Sequence, residues 1–414
     1  MATKQSSGTK RANGEGNIRK VKRGKYEYWE ARITVGKIAG TNKQDQRSFT
    51  AKKQEDCRKW LQSVGNAINE GDYFEPSKVS VGTWLDIWLK DYSADWKYAT
   101  KEKYENVCRV HLKPGLGAVK LRDLKAPQIQ HFYNGLTKTT RRKSKKTGEM
   151  ETVKTEEPLS PKSVRLIHGV LSKALNTAVR VGYLKYNPAE RCTIPKLHKK
   201  EICPLTDTQV KAFVSACEHE DYGSIYKLIL FTGLREGESL GLCWDAVDFK
   251  KNELKISKQL QHQGDQDVLV PLKNSKPRYL AAPPYVMKLL KDAQTHQKEQ
   301  RLKAGTNWQG WTNAQEMKTS PVFLRDDGRT ISASALYQRY KHIAAGIGIP
   351  DSRVHDLRHT FAVLSLQNGD NVKTVQDNLG HATAAFTLDV YGHTSEKMRT
   401  DSAARMEKYI RKMA

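Results

Sequence analysis

The stretch HDLRHT, residues 355–360, sets His355, Arg358 and His359 just ahead of the apolar run Phe361, Ala362, Val363 and Leu364. Residues at i, i+3 and i+4 share one face of a helix, so two imidazoles and a guanidinium would point the same way. Three hydrogen-bond donors on one face suit an anion. Taken alone, the hexamer also fits an ordinary solvated helix start, and the spacing of His355 and His359 fits a zinc-binding helix. An arginine beside the metal position, and the lack of a Glu after the first His, argue against the metal.

The rest of the chain favours a large anion. Lys plus Arg number 71 against 45 Asp plus Glu, a formal net charge of +26 over 414 residues. Such an excess points to a polyanionic partner, with nucleic acid the leading candidate. An acidic membrane surface would call for a basic amphipathic anchor or a lipidation signal. The N-terminus MATKQSSGTKRANGEG has no apolar core, and the longest apolar run, KLILFTGL, is too short to span a bilayer. Six scattered cysteines without a CxxC pair suggest reduced thiols in a cytosol, and no GxxxxGK[ST] loop is present for nucleotide hydrolysis.

Along the chain, residues 1–14 read as a polar, basic tail. In YEYWEARITV, Trp29, Ala31, Ile33 and Val35 alternate with Tyr28, Glu30, Arg32 and Thr34, which predicts a strand with one buried face. A helix follows with Cys57, Trp60, Leu61, Val64 and Ile68 on one stripe. Residues 15–74 are thus expected to form a small three-stranded sheet with one helix. Its outer face, with Arg19, Lys20, Lys22, Arg23, Lys25, Tyr28 and Arg32 nearby, could enter a DNA groove as a ribbon or be a plain solvated surface.

After a linker at Glu75, Pro76 and Ser77 the pattern becomes helical, and residues 79–190 predict a bundle. Its helices would carry Val81, Trp84, Leu85 and Trp88, then Tyr104, Val107, Cys108 and His111, then Ile129, Phe132 and Leu136. The last would begin at Ser160 and Pro161, which suit the cap and first helical positions. The stretch KTTRRKSKKTGEMETVKTEE between the last two helices lacks apolar periodicity and is expected to be a loop. Its Arg141, Arg142 and Lys143 are candidates for phosphate contact, against a solvated insertion. From LTDTQV, where Thr206 and Gln209 match a capping box, residues 203–414 predict a mostly helical domain. Short strands are expected around ELKIS, VLVPL and RYLAAPP. The fold class is therefore α+β and multidomain.

HDLRHT stands in ordered company. Upstream lie TGLREGE with Arg235 and PLKNSKPRYL with Lys273; downstream lie NLGHAT with His381 and TLDVYGH with Tyr391. This set resembles the tyrosine recombinase family, the integrases of temperate phages and conjugative transposons, over nearly the whole chain. The resemblance implies a catalytic set of Arg235, Lys273, His355, Arg358, His381 and Tyr391, and a site-specific recombinase that cuts and rejoins DNA through a 3′-phosphotyrosine and a Holliday junction. It implies no metal and no cofactor. The implied setting is a homo-tetramer on core and arm sites of double-stranded DNA in the bacterial cytoplasm at the nucleoid, with an excisionase and a host DNA-bending protein as candidate accessory partners.

The chemistry accounts for the residue types. Attack on a phosphodiester loads charge onto its nonbridging oxygens, which two guanidinium forks, Arg235 and Arg358, can hold. A phenol with a pKa near about 10 needs a base, for which His355 is the candidate acceptor. The resemblance gives Lys273 the role of general acid toward the 5′ oxygen and His381 a phosphate hydrogen bond. Glu238, three residues after Arg235, can orient its guanidinium; an exposed helix carboxylate is the alternative. His359 is expected to make a structural hydrogen bond.

In the C-terminal tail, Ala403, Met406, Ile410 and Met413 make one apolar stripe with Tyr409 at its edge. The resemblance implies that this tail is exchanged between protomers. Two rival readings are a type IB topoisomerase, which uses the same chemistry but swivels and reseals the same strand, and a catalytically silent DNA-binding regulator, against which the intact catalytic set argues.

Overall fold

Strand alternation decides the first element of the structure, a computed structural model that describes residues 16–37, 44–69, 79–143, 150–197, 203–272, 276–380 and 396–413. The strands β1 (Asn17–Arg23), β2 (Tyr26–Lys37) and β3 (Gln44–Ala51) form an antiparallel sheet in the order β1-β2-β3. Helix α1 (Gln54–Asn69) covers one face. Ala31, Ile33, Cys57 and Leu61 are buried between them, with Trp29, Val35, Phe49 and Trp60 packed against that core. Phe49 and Trp60 stack at 5.5 Å.

The register corrects the expectation of one basic outer face. Residues directly opposite each other in an antiparallel pair lie on the same face. Arg19 sits opposite Glu30 and Arg23 opposite Tyr26, on the face shared with Tyr28 and Arg32. Lys20 sits opposite Trp29 and Lys22 opposite Glu27, so both belong to the helix-covered side. Lys25 lies in the turn that Gly24 makes at φ +61°. The seven residues therefore divide between two faces and a turn.

The chain divides into two compact units, residues 1–198 and 199–414. The first holds this sheet and, with a separate hydrophobic cluster, a helical bundle. The bundle comprises α2 (Val81–Asp91), α3 (Tyr98–Val107), α4 (Lys113–Leu116), α5 (Ala126–Asn134) and α6 (Pro161–Arg180). Ser160 caps α6 by accepting from the Ser163 amide at 3.2 Å. Two indoles of α2 reach α6: Trp84 Nε1 donates to the Ala174 carbonyl at 3.0 Å and Trp88 Nε1 to Thr177 Oγ1 at 3.2 Å. Each satisfies a polar group that burial would otherwise penalise.

The stretch 138–157, expected as a loop, instead supplies, in its described residues, most of a β-hairpin, β4 (Thr137–Lys143) and β5 (Met150–Pro158). Apolar periodicity missed it because its strand-forming residues are Thr137, Thr139, Thr140, Thr152 and Thr155, β-branched but polar. Lys138 and Glu157 pair across the ladder.

The second unit opens with α7 (Asp207–Ala216), where the capping box is complete: Gln209 N donates to Thr206 Oγ1 and Thr206 N to Gln209 Oε1. Then come α8 (Gly223–Thr232) and α9 (Glu236–Leu240). A three-stranded sheet joins β6 (Val247–Asp248), β7 (Glu253–Ile256) and β10 (Arg278–Ala281) in the order β10-β7-β6. The VLVPL strand does not enter it: β9 (Gln266–Pro271) pairs with β8 (Lys258–Gln263) as a separate hairpin. Helices α10 (Pro284–Ala304), α11 (Ala314–Thr319), α12 (Ala333–Gly346), α13 (Val354–Gln367) and α14 (Val372–Leu379) follow, and then a C-terminal helix, Glu396–Met413. Phe213, Tyr226 and Tyr340 centre the core, with ring centroids 5.7 to 6.1 Å apart. Among the described residues no helix is long and apolar enough to cross a membrane.

Candidate active site

The TGLR segment turns sharply because Gly233 ends α8 in the left-handed region, φ +67°. A Cβ there would stand 2.3 Å from Phe361 of α13, so both backbone and packing require glycine. The turn delivers Arg235 to the start of α9 and leaves the Gly233 carbonyl facing α13. Arg358 takes that carbonyl: its Nη1 donates at 2.6 Å, and its Nη2 donates at 2.6 Å to the Leu379 carbonyl. Arg358 is 1% exposed. The HDLRHT guanidinium thus ties the TGLR turn to the end of α14.

The C-terminus of α14 gathers three arginines. Arg278 Nε donates to the Asn378 carbonyl at 2.9 Å, Arg358 to that of Leu379, and Arg235 Nη2 to that of Gly380 at 3.3 Å. The last carbonyls of a helix lack intrahelical partners and carry the negative end of its dipole. Three cations therefore cluster here against carbonyls, immediately before His381 in the chain.

Glu238 links two of them from a buried position, its side chain 1% exposed. Its Oε1 accepts from Arg235 Nη1 at 2.7 Å and Arg278 Nη1 at 3.1 Å, and its Oε2 from Arg278 Nη2 at 2.7 Å and the Arg235 amide at 3.0 Å. Burial pushes this carboxyl up, but the hydrogen bonds and charges of Arg278 and then Arg235 outweigh it and hold the pKa down at about 2. It is a carboxylate throughout the neutral range. Arg235, with 40% of its side chain exposed, is the member that stays open to a ligand.

The two imidazoles pack edge to face, centroids 4.7 Å apart at 89°. His355 keeps an exposed edge. Desolvation by its neighbours, and then the charge of Arg358, lower its pKa. Burial and then His355 lower that of His359 to about 4. Both rings are neutral at pH 7, so His355 can accept a proton there. His359 braces the His355 ring through this contact.

Arg235, Glu238, Arg358 and His355 thus come together in one unit. Lys273, His381 and Tyr391 lie outside the described residues. Arg141, Arg142 and Lys143 lie on β4, in the other unit. Arg278 was not singled out from the sequence, although a signal existed: in β10 it shares its strand phase with buried Leu280, so a charge falls on the inward face.

Comparison with known proteins places these elements. Residues 204–398 match the family model of the phage integrase family, and residues 80–137 that of the phage integrase N-terminal SAM-like domain. A tyrosine recombinase XerC-like protein of Caldanaerobacter subterraneus subsp. tengcongensis is 28% identical over 400 residues, covering 92% of this chain and 96% of the relative. An integrase of Saccharopolyspora erythraea is 24% identical over 445 residues, covering 92% and 94%. The solved Tn1549 transposon integrase in complex with transposon right end DNA shares the fold, with a TM-score of 0.62 at 19% identity over 80% of this chain and all of that one. With the TGLREGE and HDLRHT elements inside the matched span, the chain belongs to the phage integrase family of tyrosine recombinases. It is a site-specific recombinase acting on DNA.

Proposed function

We propose that this recombinase integrates and excises a mobile element, breaking each strand by attack of Tyr391 to give a 3′-phosphotyrosine and joining strands through a Holliday junction. The observation that carries the reading is the arginine cluster at the end of α14: Arg235, open to solvent and aimed by buried Glu238, beside Arg358 and neutral His355. Arg235 and Arg358 stabilise charge on the nonbridging oxygens. His355 takes the phenol proton, His381 hydrogen-bonds the phosphate, and Lys273 protonates the 5′ leaving oxygen. The phosphotyrosine conserves the energy of the broken bond, so religation draws on no nucleotide and the cation role falls to Arg and Lys.

In this reading residues 15–74 bind arm sites, with Arg19, Arg23, Tyr28 and Arg32 on the DNA-facing side. Residues 79–190 bind core sites, with Arg141, Arg142 and Lys143 on phosphates, and residues 203–414 carry the chemistry. The Tn1549 integrase, solved on transposon right end DNA, supports DNA as the partner. The C-terminal helix supports assembly into a tetramer: Met406, Ile410 and Met413 are all more than half exposed on their own chain. An excisionase and a host DNA-bending protein would set direction, in the cytoplasm at the nucleoid.

A nicked suicide substrate tests the reading. The wild-type chain should form a covalent 3′ adduct that survives excess chelator, and Tyr391→Phe should bind the same DNA without forming it. An adduct in Tyr391→Phe, or none in the wild type, overturns it.

A further inference from the structure

Arg278 has no part in the reaction laid out above, yet it touches both the carboxylate behind Arg235 and the turn before His381. Its guanidinium is bidentate on Glu238, 2.7 and 3.1 Å, and its Nε holds the Asn378 carbonyl at 2.9 Å. Gly380, at φ +63°, lies so close that a Cβ would come 3.0 Å from Arg278 Nη1. Five residues upstream in the chain stands Lys273.

The pair of arginines on Glu238 is asymmetric. Arg278 is the enclosed partner, 12% exposed, and Arg235 the open one at 40%. A long, exposed side chain has many rotamers to lose before it can meet a phosphate in one geometry. Glu238 removes that freedom from Arg235 only if it is itself held in place. Its own helix α9 is five residues long, and burying a carboxylate beside one half-solvated cation would leave its charge poorly compensated. The planar fork of Arg278 matches both carboxylate oxygens and supplies orientation and compensation together.

We propose that Arg278 is a positioning residue for strand cleavage: it clamps Glu238 so that Arg235 is aimed at the scissile phosphate, and fixes the end of α14 to the same carboxylate. The proposal rests on the recombinase reading. It predicts that Arg278 acts on the rate through Glu238, not on DNA affinity.

Single-turnover cleavage of the suicide substrate, half-site affinity and thermal melting would be measured for wild type, Arg278→Met, Arg278→Lys and Glu238→Gln, and for each Arg278 change combined with Glu238→Gln. Misplacing a reactive group costs about 10²-fold, so Arg278→Met should cleave about 10²-fold more slowly with half-site affinity kept within about twofold. Arg278→Lys should recover only part of that loss, since a point charge cannot reproduce a fork. In the Glu238→Gln background neither Arg278 change should slow cleavage by more than about twofold further. Losses that multiply across the two backgrounds, or a normal rate in Arg278→Met, overturn the proposal. Should Arg278→Met fail to melt cooperatively, the Arg278→Lys cycle decides by the same criterion. A wild-type chain that forms no adduct overturns the recombinase reading itself, a result separate from a variant that cleaves normally beside an active wild type.

Discussion

Among the described residues two arginine–glutamate–arginine triads occur, one in each unit. On the N-terminal sheet, Glu30 accepts from Arg19 Nε at 2.7 Å and Arg32 Nη2 at 3.0 Å. In the second unit, Glu238 accepts from Arg235 and Arg278. Composition and distances are alike, and the difference is solvent. Both arginines of the first triad are about half exposed, whereas Glu238 and Arg278 are enclosed. Exposed ion pairs are screened and trade little Coulomb energy for side-chain entropy. An enclosed carboxylate must keep its partners, because losing one strands a charge. The first arrangement can open for a ligand, while the second holds its shape.

Replacing the central carboxylate should separate the triads most widely. Glu238→Ala leaves the enclosed guanidinium of Arg278 without its carboxylate and beside the charge of Arg235, and chemical denaturation should show a loss of about 3–5 kcal/mol. Glu30→Ala should leave the denaturation midpoint unchanged. Equal effects would abolish the distinction drawn from burial.

Next in size is the substitution of Lys for Arg. Arg235→Lys should slow adduct formation by about 10²-fold while half-site binding persists, because the lost element is geometric. Arg19→Lys and Arg32→Lys should leave the cleavage rate at core sites as it was. A near-normal rate in Arg235→Lys would remove it from the phosphate cradle.

Acid should distinguish the triads by pH window. Glu238 has a folded-state pKa below its ordinary value of 4.5, at about 2. A depressed carboxyl contributes stability that is fully present above the unfolded value and is lost as pH falls through the folded one. The advantage of wild type over Glu238→Gln should therefore shrink between about pH 4.5 and about pH 2 and persist in high salt. Glu30 is also lowered, by its hydrogen bond from Arg19, but both its arginine partners are about half exposed, so its effect should fade with salt. Melting curves across pH at two ionic strengths would show either pattern.

The smallest effect concerns DNA at the sheet. Glu30→Gln would release Arg19 and Arg32, and binding to arm-site DNA should tighten, with its salt dependence steeper by about one to two phosphate contacts. An unchanged salt slope would leave that face without a phosphate role.

How much of this was legible depended on what kind of pattern each feature left. The β2 strand, the α2 stripe and the caps at Ser160 and Thr206 follow from local periodicity and local hydrogen bonding, which a sequence displays directly. The TGLREGE and HDLRHT elements were legible because chemistry restricts their residue types. The side of the sheet taken by Lys20 and Lys22 was not, because register is set by where the Gly24 turn closes, and a shift of one residue exchanges the faces. The β4–β5 hairpin was hidden because its strands are built from threonine and charge. Arg278 was hidden because its partners, Glu238 and Asn378, stand 40 and 100 positions away in the chain.

Gly237 of α9 and Gly241 just past its end bear on what stands behind Arg235. A Cβ on Gly237 would come 3.0 Å from the Leu260 carbonyl, and one on Gly241 would come 2.5 Å from the Leu260 amide, so the backbone of β8 rests directly on the helix behind Arg235. No side chain intervenes to act as a cushion, and the β8–β9 ribbon and that helix are mechanically one part. The ribbon ends at Pro271, and at the first position of β10 stands Arg278, so the ribbon that backs this helix leads along the chain to the residue that grips its carboxylate.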